Sequence, residues 1–224
     1  MKTFEIEIKS LLGPKENADA LISSMQTLDP ECQCVAKNSQ LNHYFAGGDI
    51  HELYRQVEPL FKGEQHDRFH AIVEQGENFS VRTRQKDEQV LLVIKAALDG
   101  GTSENTVARL EFEEPVNVTL AELDGLIEKA GYSYQAKWSR DRWEYHYKNT
   151  NVCIDRNAGY GYLAEFETVT NDEAQADTAR EKLEALMVEL GVTELPQDRL
   201  ARMFEHYNQN WSEYYGTDKT FTIE

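Results

Sequence analysis

Four short stretches of this 224-residue chain set charged side chains at alternate positions, and a fifth ends in a lone lysine. In Phe4-Glu5-Ile6-Glu7-Ile8-Lys9, two carboxylates and an ammonium oppose Phe4, Ile6 and Ile8. Arg82 and Arg84 share a face within residues 78–84, and residues 90–95 are apolar on both faces until Lys95. Arg109, Glu111 and Glu113 oppose Ala108, Leu110 and Phe112, while Glu165 and Glu167 oppose Tyr162, Ala164 and Phe166. A period of two is the signature of a strand with two unlike faces.

The charged faces are the informative ones. Most antiparallel strands wet one face, but a solvated face mixes Thr, Ser and Gln with scattered charge. Same-face neighbours sit roughly 6.5–7 Å apart. Two carboxylates at that spacing repel by about 2–3 kcal/mol at an effective dielectric near 20. Glu5/Glu7, Glu111/Glu113 and Glu165/Glu167 make three such pairs, which call for a cation among them. Arg82 and Arg84 pose the mirror problem, which a bound polyanion relieves. With these faces turned inward, an acidic side suits a divalent metal and a basic side suits a phosphate chain. The alternative, an internal salt-bridge network without ligand, carries a large desolvation penalty.

The elements that must position these residues are short. Strands are expected near 3–11, 33–46, 78–87, 89–98, 105–115, 132–147, 150–157 and 161–169, with helices near 15–27, 49–61, 64–75, 119–130, 172–190 and 199–214. Asp87-Glu88, Lys148-Asn149-Thr150-Asn151 and Asn157-Ala158-Gly159 read as tight hairpins. Gly131 and Gly191 read as helix stops, and Thr119 with Glu122 as a capping box. About eight strands without long crossovers give an α+β protein, an antiparallel barrel or sandwich with helices packed outside.

Composition narrows the partners. The net charge of −17 opposes non-specific binding to nucleic acid or an acidic membrane. With no run of eighteen apolar residues and no basic-then-apolar N-terminus, the expectation is a soluble, cytoplasmic protein. Cys32, Cys34 and Cys153 are sparse and odd in number, which fits a reducing compartment. Cys32 and Cys34 have no second ligand pair for zinc. The chain is long enough for one substantial core, so a single domain over 1–224 is expected.

The ordered set resembles the CYTH superfamily, the triphosphate tunnel metalloenzymes, which include class IV adenylate cyclases, thiamine triphosphatases and tripolyphosphatases. The E-x-E-x-K signature of that family matches Glu5-x-Glu7-x-Lys9, and its R-x-R strand matches Arg82-x-Arg84. Lys95 follows, then Arg109-x-Glu111-x-Glu113, Arg140-x-Arg142-x-x-Tyr145, Asp155, Gly159-x-Gly161 and Glu165-x-Glu167. The chain departs from the pattern at Asn42-His43-Tyr44-Phe45, where an Asp is usual, and at Arg140, where lysine is common. Residues 49–77 are a helical insertion that compact members lack.

The resemblance implies an eight-stranded antiparallel closed β-barrel whose tunnel holds a triphosphate, with Mg²⁺ or Mn²⁺ as cofactor. It implies that Lys9, Arg82, Arg84, Lys95, Arg109, Arg140 and Arg142 bind phosphate oxygens. Glu5, Glu7, Glu111, Glu113, Asp155, Glu165 and Glu167 become metal ligands or their supports, with Glu7 and Glu167 holding the first metal. Lys9, Tyr44 and Glu5 are the catalytic candidates, through proton transfer or placement of the attacking water. The implied reaction is metal-dependent hydrolysis of inorganic tripolyphosphate or an organic triphosphate such as thiamine triphosphate. A cyclase making cyclic AMP and pyrophosphate from ATP, and a non-catalytic polyphosphate or nucleotide sensor, are the alternatives. The implied partner is a small triphosphate or nucleotide, with no nucleic acid or membrane, in a monomer or homodimer.

Other motifs read as structure. His66 and His70 have helical spacing but no zincin glutamate, and fit a solvated helix face. Met203, Tyr207, Trp211 and Tyr214 line one face of a C-terminal helix near 199–214 and suit packing. The insertion at 49–77 reads as an added surface layer rather than a lid.

Overall fold

Residues 4–97, 109–170 and 173–224 are described by a computed structural model, with backbone alone at Phe4, Glu5, Arg109 and Glu173. The strands are β1 Phe4–Gly13, β2 Gln33–Gly47, β3 Glu77–Lys86, β4 Gln89–Ala97, β5 Arg109–Val116, β6 Tyr132–Tyr147, β7 Thr150–Asn157 and β8 Gly161–Thr170. The helices are α1 Lys15–Leu28, α2 Ile50–Val57, α3 Glu64–Gln75, α4 Leu120–Lys129, α5 Ala176–Glu189 and α6 Gln197–Tyr214. One eight-stranded antiparallel sheet runs in the order β1-β8-β7-β6-β2-β3-β4-β5. Its order begins with β1 and ends with β5, and among the described residues no pairing joins those two. The α+β class and the eight antiparallel strands match the expectation, whereas the strand pairing among the described residues does not extend to a closed barrel. Among the described residues, no helix is long and apolar enough to cross a membrane.

Turn chemistry places the elements. Asp87 (φ 53°) turns β3 into β4, and Lys148 and Asn149 (φ 45° and 63°) turn β6 into β7. Positive φ at both central residues matches the right-handed twist of the flanking strands, which favours a two-residue loop. The capping box closes the start of α4: the Glu122 carboxylate accepts from Thr119 N at 2.8 Å, and Thr119 Oγ1 accepts from Glu122 N at 3.3 Å. Where a helix was expected over 49–61, α2 stops at Val57 and a 3₁₀ turn over Glu58–Leu60 follows, because Pro59 lacks the N–H an α-helix would use. The expected strand over 105–115 begins outside the described residues and is seen from Arg109.

The chain divides into two compact units, Met1–Ser39 with Ser139–Glu224, and Gln40–Trp138. In the first, Ile8, Tyr147, Val152, Ile154, Ala164 and Phe166 pack against Leu21 and Met25 of α1 and Leu183 and Met187 of α5. There α6 buries Met203 and Tyr207, as its aromatic face predicts. The turn after β7 receives Tyr207 so closely that a Cβ on Gly159 (φ 84°) would lie 2.7 Å from the ring. In the second unit, Val81, Leu92, Ile94 and Phe112 pack with Leu123 and Ile127 of α4, Leu53 and Val57 of α2, and Phe69, Ile72 and Val73 of α3. The insertion is therefore part of this unit's core. It is not an added layer.

Candidate functional site

In the unit formed by Met1–Ser39 and Ser139–Glu224, the apolar alternates of β1, β6, β7 and β8 face the helices and their neighbours face away. Register then sets the charged row. Glu7 lies directly opposite Glu167, and Lys9 opposite Glu165, across β1 and β8. Cys153 and Asn151 of β7 oppose Glu165 and Glu167 on the other side of β8. Arg142 opposes Asp155, and Arg140 opposes Asn157, across β6 and β7.

Asp155 is buried, and both its oxygens are engaged by arginine. Arg142 donates through Nε to Oδ1 at 2.7 Å and through Nη2 to Oδ2 at 2.6 Å, while Arg140 Nη1 donates to Oδ2 at 2.8 Å. Such a fork is among the stronger pairings available to a carboxylate. Arg142 Nη2 also donates to Glu165 Oε2, Lys9 Nζ lies 3.7 Å from Glu165 Oε1, and Lys9 pairs with Glu7. Burial disfavours charge on Glu165, but the charges of Arg142, Lys9 and Arg140 outweigh it and hold the carboxyl below its ordinary value. Burial likewise disfavours the Arg142 cation, and the Asp155 hydrogen bonds with the Glu165 and Asp155 charges raise its pKa instead. The described charged residues of this row include Lys9, Arg140 and Arg142 against Glu7, Glu144, Asp155, Glu165 and Glu167.

In the Gln40–Trp138 unit, Tyr44 opposes Arg82 and Asn42 opposes Arg84 across β2 and β3. Arg82 Nη1 donates to the Tyr44 hydroxyl at 2.8 Å, with its Cζ 5.4 Å from the Tyr44 ring centroid. Arg84 donates to Asn42 Oδ1 at 2.8 Å and to Glu113 Oε1 at 2.6 Å. Lys95 opposes Glu111 across β4 and β5, with Nζ 3.1 Å from Oε1. Arg82 differs from the others: its Nε is buried without a hydrogen-bond partner, and among the described residues no carboxylate pairs with it.

The signs are less segregated than the sequence suggested. Each unit mixes acids and bases, because a half-buried charge without a counter-charge is costly and the nearest opposite strand supplies one. The side chains of Glu5 and Arg109 lie outside the described set, although their backbones continue the rows on β1 and β5. Glu144, which accepts from Asn38 Nδ2 at 3.2 Å, Asn151 and Cys153 belong to the row although no motif pointed to them. Strand parity alone was the signal for these: Glu144 alternates with Arg142, and Cys153 with Asp155. Burial pushes the Cys153 thiol up to about 12, so it stays neutral among the acids. His66 Nε2 meets the Tyr54 hydroxyl at 2.9 Å, and among the described residues no three His, Cys, Asp or Glu side chains gather into a metal cage.

Several solved structures share this fold over most of their length. A candidate adenylate cyclase from Vibrio parahaemolyticus superposes with a TM-score of 0.59 at 16% identity, covering 92% of this chain and 99% of that one. The PH1819 protein of Pyrococcus horikoshii gives 0.59 at 17% identity, over 91% and 99%. A candidate adenylyl cyclase from Hippeastrum with a dominant triphosphatase activity gives 0.54 at 15% identity, over 92% and 96%. No curated protein matches the sequence. The CYTH domain model matches residues 60–199, a span that holds every candidate charged residue from Arg82 to Glu167 and leaves Glu5-x-Glu7-x-Lys9 to its N-terminal side. With well over half of its length matched, the chain belongs to the CYTH domain family.

Proposed function

We propose that this chain hydrolyses a linear triphosphate, inorganic tripolyphosphate or an organic triphosphate such as thiamine triphosphate, with Mg²⁺ or Mn²⁺. In this reading the chain acts as one domain, and the sheet closes into the tunnel that the family resemblance implies. One observation carries most weight. Arg82 is a cation with a buried, unpartnered Nε, no carboxylate among the described residues, and a second arginine on the same strand face. An anion oxygen would satisfy the Arg82 Nε, and Arg84, already paired with Asn42 and Glu113, would add a second guanidinium on the same face.

Lys9, Arg82, Arg84, Lys95, Arg109, Arg140 and Arg142 neutralise the phosphate oxygens. Asp155 orients Arg140 and Arg142 rather than binding metal itself, since both of its oxygens are engaged. The acids left for a cation are hard oxygen donors, and Glu7 directly opposite Glu167 is a like-charged pair that a divalent ion relieves. Mg²⁺ keeps several waters and takes few protein carboxylates, so one or two of these acids would suffice to hold it. When bound, the ion neutralises charge developing on the phosphoryl oxygens and acidifies water.

Glu165, held ionised by Arg142, Lys9 and Arg140, accepts a hydrogen bond from the attacking water. Glu5 assists its placement, while Glu111 and Glu113 hold Lys95 and Arg84. Water oxygen bonds to the terminal phosphorus as the bridging P–O bond breaks, so tripolyphosphate gives orthophosphate and pyrophosphate. Positioning and charge neutralisation do most of this work. Lys9 and the Tyr44 hydroxyl are the groups that carry protons to the leaving oxygen.

The test is incubation with tripolyphosphate, thiamine triphosphate and ATP under Mg²⁺ or Mn²⁺, with products resolved. Orthophosphate release is expected. Cyclic AMP with pyrophosphate from ATP would replace hydrolysis by cyclisation, and binding without turnover would leave a sensor.

A further inference from the structure

Behind the Arg82–Arg84 face, one carboxylate gathers three strands. Asn42 and Tyr44 of β2 share the charged face with Arg82 and Arg84 of β3. His43 and Thr83, the residues between them, are direct register partners on the opposite face. Both reach Asp124 of α4, whose exposure is only 4%. Thr83 Oγ1 donates to Oδ1 at 2.7 Å, Tyr134 of β6 donates to Oδ2 at 2.8 Å, and His43 Nδ1 lies 2.7 Å from Oδ2. An ionised carboxylate only accepts, so Nδ1 of His43 carries the proton. All of these groups belong to the Gln40–Trp138 unit.

The network is more than a tolerated polar group in a core. Burial disfavours the Asp124 anion, yet the hydrogen bonds from His43, Thr83 and Tyr134 keep its pKa below the ordinary value. Leu123 and Ile127 flank it on α4, each fully buried, so the helix is a firm anchor. Three donors converging on two oxygens specify angles, which apolar packing alone does not. The residues fixed from behind are the immediate chain neighbours of the four polar groups in front.

We propose that Asp124 is a positioning residue for the phosphate grip, setting the spacing and tilt of β2 and β3 so that Arg82, Arg84, Asn42 and Tyr44 meet the triphosphate in register. This rests on the triphosphate reading of that face. A misplacement of about 1 Å at such a grip costs up to ~100-fold. Asp124→Asn keeps the shape but replaces one acceptor oxygen by an amide donor, so the donors from His43, Thr83 and Tyr134 are no longer all met unless a hydroxyl or the His43 tautomer turns to accept. Thr83→Val keeps the shape and removes one donor.

The experiment measures binding of inorganic tripolyphosphate with Mg²⁺ by calorimetry, well below the unfolding midpoint, and records the arginine Nε–H resonances of the free proteins by NMR. Ile127→Ala serves as the control, destabilising the same helix without touching the network. Wild type is expected to bind. Asp124→Asn and Thr83→Val are expected to weaken binding about 10-fold or more and to move the Arg82 and Arg84 resonances, while Ile127→Ala lowers the midpoint and leaves affinity intact. Equal affinity in wild type and both network variants overturns the positioning role alone, as does an equal loss in Ile127→Ala. Absence of binding by wild type overturns the triphosphate reading and the proposal with it.

Discussion

Glu7 and Glu167 face each other directly across β1 and β8, two carboxylates at register-paired positions of neighbouring strands. Directly opposed residues have Cβ atoms about 4.5–5.5 Å apart, and like charges there are destabilising. Lys9, paired with Glu7 and 3.7 Å from Glu165, offsets part of this. Such a pair persists where a cation completes it. Glu7→Gln is expected to leave the unfolding temperature unchanged or slightly higher without metal. It should also abolish the rise that Mg²⁺ or Mn²⁺ gives wild type, a rise worth about 2.7 kcal/mol at a hundredfold excess over Kd. Thermal scans with and without metal check this, and a drop in the metal-free midpoint of several degrees would sink the metal assignment.

Arg82 and Arg84 separate affinity from stability. Arg84 pairs with Glu113 and Asn42, so Arg84→Gln leaves a part-buried carboxylate without its cation and lowers stability by roughly 1–3 kcal/mol. Arg82 has the Tyr44 hydroxyl and ring but no carboxylate among the described residues, so Arg82→Gln is expected to cost under about 1 kcal/mol. Both variants should lose tripolyphosphate affinity by ~10-fold or more. Denaturant titration beside calorimetry reads the contrast, and equal stability losses would contradict the ion-pair difference.

Thiol chemistry distinguishes Cys34 from Cys153. Cys34 is exposed, whereas Cys153 is buried beside Glu165 with its pKa pushed up to about 12 by desolvation. The thiolate is the reactive form. Iodoacetamide at neutral pH should therefore modify Cys34 rapidly and Cys153 only after unfolding, as peptide mass spectrometry would show. Rapid labelling of Cys153 in the folded chain would mean an open, solvated row beside Glu165.

Asp124 sets an acid limit. Burial opposes its charge, but its hydrogen bonds hold the folded pKa below the unfolded value of about 3.9. Its contribution is complete above that unfolded value and is lost as pH falls through the folded one. Asp124→Asn should cost about 1–3 kcal/mol at pH 7 and flatten the stability profile below roughly pH 4. Denaturation midpoints across that range test the sign. A variant whose stability falls as steeply as wild type in acid would place the limit elsewhere.

Alternation made the charged faces legible, because Glu7, Lys9, Arg82, Glu165 and Glu167 each sit one residue from an apolar neighbour, and Arg84 repeats Arg82 two positions on. The same parity pointed to Glu144 and Cys153, but a single charge or thiol on a strand is not by itself a pattern. What the chain could not disclose was pairing across strands: that Glu7 meets Glu167, or that Asp155 spends both oxygens on Arg140 and Arg142. The first pairing joins strands far apart in the chain and the second depends on the register of a hairpin, and the spacing of charges within one strand encodes neither. Asp124 was hidden for the same reason, since one acid on an amphipathic helix looks like surface until His43, Thr83 and Tyr134 close over it.

The insertion at 49–77 is the segment whose place in the fold the sequence disclosed least. Residues 49–77 alternate charge with apolar side chains, which reads as a helical pair laid over a finished core. In the structure Phe69 of α3 is fully buried, stacked on Phe112 of β5 with ring centroids 5.0 Å apart and 5.5 Å from Phe61. Gln65 Nε2 donates to Glu114 Oε2 at 2.6 Å, and Arg68 pairs with the same carboxylate, so polar contacts pin α3 to β5 beside that stack. The face of β5 opposite Phe112 carries Glu111 and Glu113, partners of Lys95 and Arg84. Phe69→Ala removes a large buried ring and is expected to cost about 3–5 kcal/mol. A layer merely added to the surface would instead lose under about 1 kcal/mol on the same change. Denaturant unfolding of Phe69→Ala decides between these values, and the smaller one would return the helices to the outside of the fold.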